Sequence, residues 1–198
     1  MESAVTEQRL IKFKNVLSKR QKDLTVVAEN LFDPHNLSAM IRSCDAVGIA
    51  EVHLVYNQGV PFPKLGEKSS ASARKWVDMK RYKTIGDCYA TLKERGFKIY
   101  TTHMAKESVS LYDLDLTQPV ALVFGNEHSG VSEEAVKHSD GNFLIPQLGM
   151  IQSLNISVAC AVSLYEALRQ RLAKGLEHSA LLDETEFKKK LDEWIVKR

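Results

Sequence analysis

Apolar residues along this chain follow two rhythms. Short unbroken apolar runs within 23–31, 51–57 and 97–104, then VALVF before Gly125 and FLI before Pro146, have the length and continuity of buried strands. Between them, Leu37, Met40, Ile41, Cys44 and Val47 recur at helical spacing and stop at Gly48, and a second helix over 85–95 is closed by Gly96. Ser132, followed by Glu133 and Glu134, caps a short helix, and a long helix runs from about Leu154 to Ala173. Residues 113–117 form a short or irregular element. Strands alternating with helices predict an α/β fold, a mostly parallel sheet with helices on both faces.

Two helices lie outside this alternation. Thr6 caps one that carries Leu10, Phe13, Val16 and Leu17 on one face, and a last amphipathic helix over 183–197 carries Phe187, Leu191, Trp194 and Ile195. Their apolar faces must bury against the core or against another subunit. The expectation is a single domain over 1–198, with a basic helix in 1–22 and the amphipathic helix in 176–198 as extensions.

With 198 residues, 44% of them hydrophobic, the chain is long enough for one sizeable core. No apolar run reaches the ~18 residues of a membrane span, and the N-terminus lacks a signal-type apolar segment. Cys44, Cys88 and Cys160 are odd in number and sit in apolar helical patterns, as reduced core thiols of a cytoplasmic protein do. The net charge of +2 is uninformative, but its distribution is not. Arg9, Lys12, Lys14, Lys19, Arg20 and Lys22 crowd the first 22 residues. Lys64, Lys68, Arg74, Lys75, Lys80, Arg81 and Lys83 crowd a second stretch. Such clusters suit a polyanion, and equally a solvated charged face.

Candidate chemistry concentrates at three joints. Asn36 opens a helix and Arg42 follows six residues on, so Asn36 is a cap or a ligand group and Arg42 a partner for carboxylate or phosphate. The loop from Gly125 through Asn126, Glu127, His128 and Ser129 to Gly130 follows a strand and precedes a helix. It is neither a dinucleotide fingerprint nor a P-loop, and Glu127 is a site acid or an exposed loop acid. From Ile145 a loop bounded by Pro146 and Gly149 runs to Gln152, Ser153, Leu154 and Asn155, where Ser153 reads as an N-cap compatible with an anion or adenine contact. The histidines show no metal-ligand spacing, so no metal is expected.

These three segments, with Lys19-Arg20-Gln21 ahead of the first strand, resemble the signature segments of the SPOUT-class 2′-O-ribose RNA methyltransferases, in particular the TrmH type that acts on guanosine 18 of tRNA. The resemblance covers nearly the whole chain; the stretch 69–75 is Ser/Ala-rich where relatives often carry Gly. It implies a five- or six-stranded sheet whose C-terminal part forms a trefoil knot, a homodimer, and S-adenosylmethionine bound in the knot. By position, Thr101, Thr102, Gly125, Asn126, Glu127, Ile145, Met150, Ser153 and Leu154 would hold that cofactor. Arg42, Asn36, Glu127, Ser153 and Asn155 would form the catalytic group, with Arg42 at the ribose hydroxyl. A guanidinium stays protonated, so the physical expectation is that Arg42 grips phosphate and steadies the developing alkoxide. Arg9, Lys19, Arg20, Arg74, Lys75, Arg169 and Arg171 would contact RNA. The alternatives are the same methylation on ribosomal RNA or another tRNA position, and a non-catalytic RNA-binding protein.

Overall fold

The structure is a computed structural model that describes residues 5–57, 59–63, 73–103, 107–175 and 182–197. Lys64, Lys68 and residues 69–72 of the second basic stretch therefore lie outside the described residues. Among the described residues, seven strands form one sheet: β1 (Leu24–Glu29), β2 (Glu51–Val55), β3 (Asp78–Tyr82), β4 (Lys98–Thr102), β5 (Val109–Ser110), β6 (Val120–Phe124) and β7 (Gly141–Leu144). Their order is β3-β2-β1-β6-β4-β7-β5, and every pairing is parallel.

The sheet has more strands than the five or six expected. β3 was hidden because its sequence, DMKRY, belongs to an edge strand and carries no apolar run. β5 is only two residues long and has no pattern to read. The central strands β1 and β6 are buried along their whole length, which is why they read as unbroken apolar runs.

Among the described residues there are six helices, four of them on the faces of the sheet: α1 (Glu7–Leu17), α2 (Pro34–Ala46), α3 (Ile85–Glu94), α4 (Glu133–His138), α5 (Ile156–Ala173) and α6 (Glu184–Val196). α2 and α5 pack together on one face, where Met40, Ile41, Cys160 and Leu164 meet Val26, Ala28 and Leu54. α3 and α4 cover the other face, meeting Val27, Val55, Ile99 and Val123. Val26 and Val27 thus point to opposite sides, as neighbours in a strand must.

Two caps differ from the sequence reading, and both differences matter for the site. Asp33 caps α2, accepting from His35 N–H at 2.8 Å with Pro34 at the first helical position. Asn36 is therefore released from capping. Asn155, and not Ser153, caps α5, accepting from Ser157 N–H at 2.8 Å.

The terminal helices pack on each other. Phe13 of α1, Trp194 of α6 and Trp76 form a ring cluster with centroids 5.0 to 5.7 Å apart. Lys190 of α6 pairs with Asp78 at 2.5 Å, and Lys22 with Glu186 at 2.6 Å, fastening α6 to the β3 edge.

Arg20 and Arg171, expected at RNA, are internal struts instead. Arg171 is fully buried at the end of α5, donating to Asp23, to Gln21 Oε1 at 3.0 Å, and to the carbonyls of Leu116 and Gln118 at 3.0 and 2.9 Å. Arg20 pairs with Asp45, donates to Ile49 C=O at 2.8 Å and stacks on Trp194. Burial of a guanidinium requires such partners, and these partners leave neither cation available to a phosphate.

Candidate active site

The β6–α4 loop is built on a contact that only glycine allows. A Cβ on Gly125 would lie 2.1 Å from the Gly130 carbonyl carbon. Asn126 and Gly130 exchange both backbone hydrogen bonds, at 2.9 and 2.8 Å, and Gly130 turns the chain at φ +70°. The Asn126 side chain is spent on the same turn: Oδ1 accepts from His128 and Ser129 N–H, and Nδ2 donates to Asn30 C=O at 2.8 Å. Glu29 accepts from Ser132 N–H at 2.9 Å and anchors the loop's far end. The result is a rigid turn that presents Glu127.

Glu127 reaches across to the β1–α2 loop. Oε2 accepts from Phe32 N–H at 2.9 Å; Oε1 accepts from Asp33 N–H at 3.1 Å and from Asn36 Nδ2 at 2.9 Å. Asn36 Oδ1 in turn accepts from Asn155 Nδ2 at 3.0 Å. Three loops that are distant in sequence are thereby tied into one network. Partial burial pushes the Glu127 carboxyl up, but the donors from Asn36, Phe32 and Asp33, with its own backbone N–H, outweigh this and hold it below the usual carboxylate range. A carboxylate so well supplied with donors is a weak proton acceptor, and its hydrogen bonds tie down the β1–α2 loop and the Asn36 side chain. Phe32, Asp33, Asn36, Glu127, Ser153 and Asn155 line a cleft of about 630 Å³.

An adjoining cavity of about 200 Å³ lies at the ends of β4, β6 and β7. Thr102, Gly125, Ile145, Ser153 and Leu154, all expected at a cofactor, line it together with Gln147 and Gln152. Thr101 does not reach it: the residue is fully buried and donates to Asn142 Oδ1. Met150 projects into solvent, 97% exposed. Among the described residues, 146–154 make no backbone–backbone hydrogen bond, so main-chain donors and acceptors stand beside the cavity without a backbone partner there.

Arg42 is exposed and is not part of the cleft wall. Six residues after Asn36 on α2, it lies about 240° round the helix. Among the described residues it has no hydrogen bond or ion pair. Of the expected RNA contacts, Arg9, Lys19, Lys75 and Arg169 are exposed and Arg74 is half-buried. Arg169 closes both arms on Glu166 at 2.8 Å. The residues the sequence reading missed are Phe32 and Asp33, which act through backbone N–H groups and so carry no side-chain signature. Among the described residues, no group of His, Cys, Asp and Glu could hold a metal, and no helix is long and apolar enough to cross a membrane.

Known proteins are similar to this chain in sequence and fold. The tRNA (guanosine(18)-2′-O)-methyltransferase of Thermus thermophilus is 46% identical over 192 residues, covering 97% of this chain and 98% of that protein. The crystal structure of the A. aeolicus TrmH/SpoU tRNA modifying enzyme superposes with a TM-score of 0.89 at 42% identity, covering 97% of this chain and 98% of that one. An AdoMet-bound rRNA methyltransferase from Sinorhizobium meliloti is 28% identical with a TM-score of 0.68, covering 79% of this chain and 59% of that one. Residues 23–165, which contain all three loops of the network, match the SpoU rRNA Methylase family, and the chain belongs to that family.

Proposed function

We propose that the protein is an S-adenosylmethionine-dependent tRNA 2′-O-methyltransferase that acts on guanosine 18, in the cytoplasm and as a homodimer. The observation that carries the reading is the Glu127–Asn36–Asn155 network, which joins the cleft to the cavity through the shared residues Ser153 and Leu154. The T. thermophilus relative, similar over nearly its whole length, supplies the substrate.

Gly125, Ile145, Leu154 and the open backbone groups of 146–154 fit a cofactor whose recognition is mostly by main chain. When bound, S-adenosylmethionine supplies a methyl group already activated on sulfur. What remains for the protein is to align the ribose hydroxyl and to handle its proton. Asn36, fixed by Glu127 and Asn155, orients the ribose. Arg42 holds the flanking phosphate and stabilises the developing alkoxide, while phosphate or water takes the proton.

The dimer is supported by α5. Val158, Tyr165 and Leu172 recur every seven residues, half-exposed on one stripe, and Leu148, Met150 and Ile151 are exposed on the loop before it. A second copy packed there buries both and brings its Arg42 to a cleft that Arg42 of the same chain does not line. The trefoil knot in the C-terminal part and the single-domain organisation with two helical extensions belong to the same reading.

Nucleoside mass spectrometry of an unmodified tRNA transcript incubated with protein and S-adenosylmethionine tests the assignment. New 2′-O-methylguanosine mapped to the D-loop is expected. The same nucleoside elsewhere overturns the address, and cofactor binding without tRNA methylation moves the substrate to ribosomal RNA.

A further inference from the structure

An aromatic column runs from the outer edge of the sheet toward the cleft. Arg81 of β3 pairs in register with Leu54 of β2, whose side chain lies in the core beneath α2, so Arg81 stands on the α2 face. Its guanidinium carbon sits 3.8 Å over the Phe62 ring centre. Phe62 meets Tyr56 edge-on at 5.0 Å, and the Tyr56 hydroxyl donates to Leu31 C=O at 3.1 Å. The next residue, Phe32, gives its N–H to Glu127. Burial and Glu127 both push the Tyr56 hydroxyl up, while Arg81 draws it back, so both charges lie within electrostatic reach of that hydroxyl.

Among the other exposed arginines, Arg9 donates to Lys197 C=O at 2.9 Å. Arg95 closes on Glu51 and Arg169 on Glu166, whereas Arg81 is exposed and, among the described residues, faces no carboxylate. A guanidinium laid flat on a ring keeps its second face and its N–H edge open. An open stacked guanidinium takes a nucleobase on its face and a phosphate on its edge. Neighbouring strands lie about 4.8 Å apart, so the ends of β2 and β3 are one and two strand spacings from the end of β1, where the cleft begins.

We propose that Arg81, backed by Phe62, is a platform that holds a nucleotide flanking the methylated ribose. This rests on the RNA methyltransferase reading above and names a contact of that same site.

The test is fluorescence anisotropy of an unmodified tRNA transcript with the parent protein, Arg81→Ala and Arg81→Lys, alongside methylation kinetics and the thermal shift given by S-adenosylmethionine. Arg81→Ala is expected to weaken tRNA binding about tenfold and to raise KM in step, with kcat within about twofold. It lowers the slope of log affinity against log salt by about one, whereas Arg81→Lys keeps that slope and still loses about threefold in affinity. The cofactor-induced shift stays at the parent's value in both variants. An Arg81→Ala affinity within twofold of the parent overturns the platform. So does a loss accompanied by a fallen Tm and a lost cofactor response, which marks a strut that only holds the loop. A parent protein that leaves the transcript unmethylated overturns the substrate reading separately, and the anisotropy comparison still decides the role of Arg81.

Discussion

Asn155 donates its Nδ2 to Oδ1 of Asn36 at 3.0 Å, joining residues 119 positions apart in the chain. Because Asn36 donates onward to Glu127, it must be a donor on one side and an acceptor on the other. Only the amide meets both demands at this size. Asn36→Asp keeps the shape but turns an acceptor toward Glu127. A lost hydrogen bond to a charged group costs about 1.5–3 kcal/mol, so kcat/KM should fall about a hundredfold in steady-state methylation assays. Turnover within threefold of the parent would remove the network from the mechanism.

Arg42→Lys separates two roles for the exposed guanidinium. A simple charge would survive the change, whereas a two-armed grip on phosphate and alkoxide would not. Turnover is expected to drop about a hundredfold or more while tRNA affinity stays within about threefold, measured by single-turnover methylation and anisotropy.

Gly125→Ala tests the close approach in the β6–α4 loop. Its Cβ would collide with the Gly130 carbonyl group, forcing the turn apart and moving Glu127. A lower Tm and loss of the S-adenosylmethionine thermal shift are expected, both read by differential scanning fluorimetry. An unchanged cofactor response would show that the turn is not needed to shape the cavity.

Glu51 gives the fold a defined acid sensitivity. His53, 3.6 Å away, and Arg95, in direct contact, hold its carboxyl down to about 2 against the opposing effect of burial. A depressed folded-state value means that the stabilisation is complete above the ordinary carboxylate range and is lost as pH falls toward 2. Glu51→Gln should therefore be less stable by no more than about 3 kcal/mol at pH 7, with the gap closing as pH drops below about 4.5. Urea midpoints of both proteins at pH 7, 4 and 3 measure this, and a constant gap would refute it.

Arg171→Met should act on stability rather than on RNA. It strands the Asp23 carboxylate and the Leu116 and Gln118 carbonyls, at about 3–5 kcal/mol. That lowers Tm by roughly 10 °C. The tRNA affinity of the folded variant should match the parent's, and a tenfold weakening would restore Arg171 to the RNA surface.

The sequence was most legible where period and burial coincide. β1 and β6 showed as apolar runs because both faces are covered, and α2 showed through its stripe. β3 was illegible because an edge strand has no need of such a run. Asn36, Glu127, Ser153 and Asn155 could be picked out from their place at strand–helix joints, and the structure brings all four to the wall of one cleft. Which residue caps each helix was not legible: Asn36 read as a cap or a ligand group and Ser153 as a cap, whereas Asp33 and Asn155 take the capping work. Arg20 and Arg171 were placed at RNA although both are buried, because neither a cluster of cations nor a place on the long helix α5 shows which cations are buried. Only distant partners such as Asp45 and Asp23 decide that.

The cluster of Phe13, Trp76 and Trp194 also sets a timetable for folding. α1 leaves the ribosome well before α6, yet its apolar face has no complete partner surface until α6 has been made. The same holds at the centre of the sheet, where β1 pairs with β6 across nearly one hundred residues. Contacts of such separation close slowly and leave sticky surface open meanwhile. α1 therefore stays unclaimed while the whole sheet is made, and α6 seals the structure by covering it.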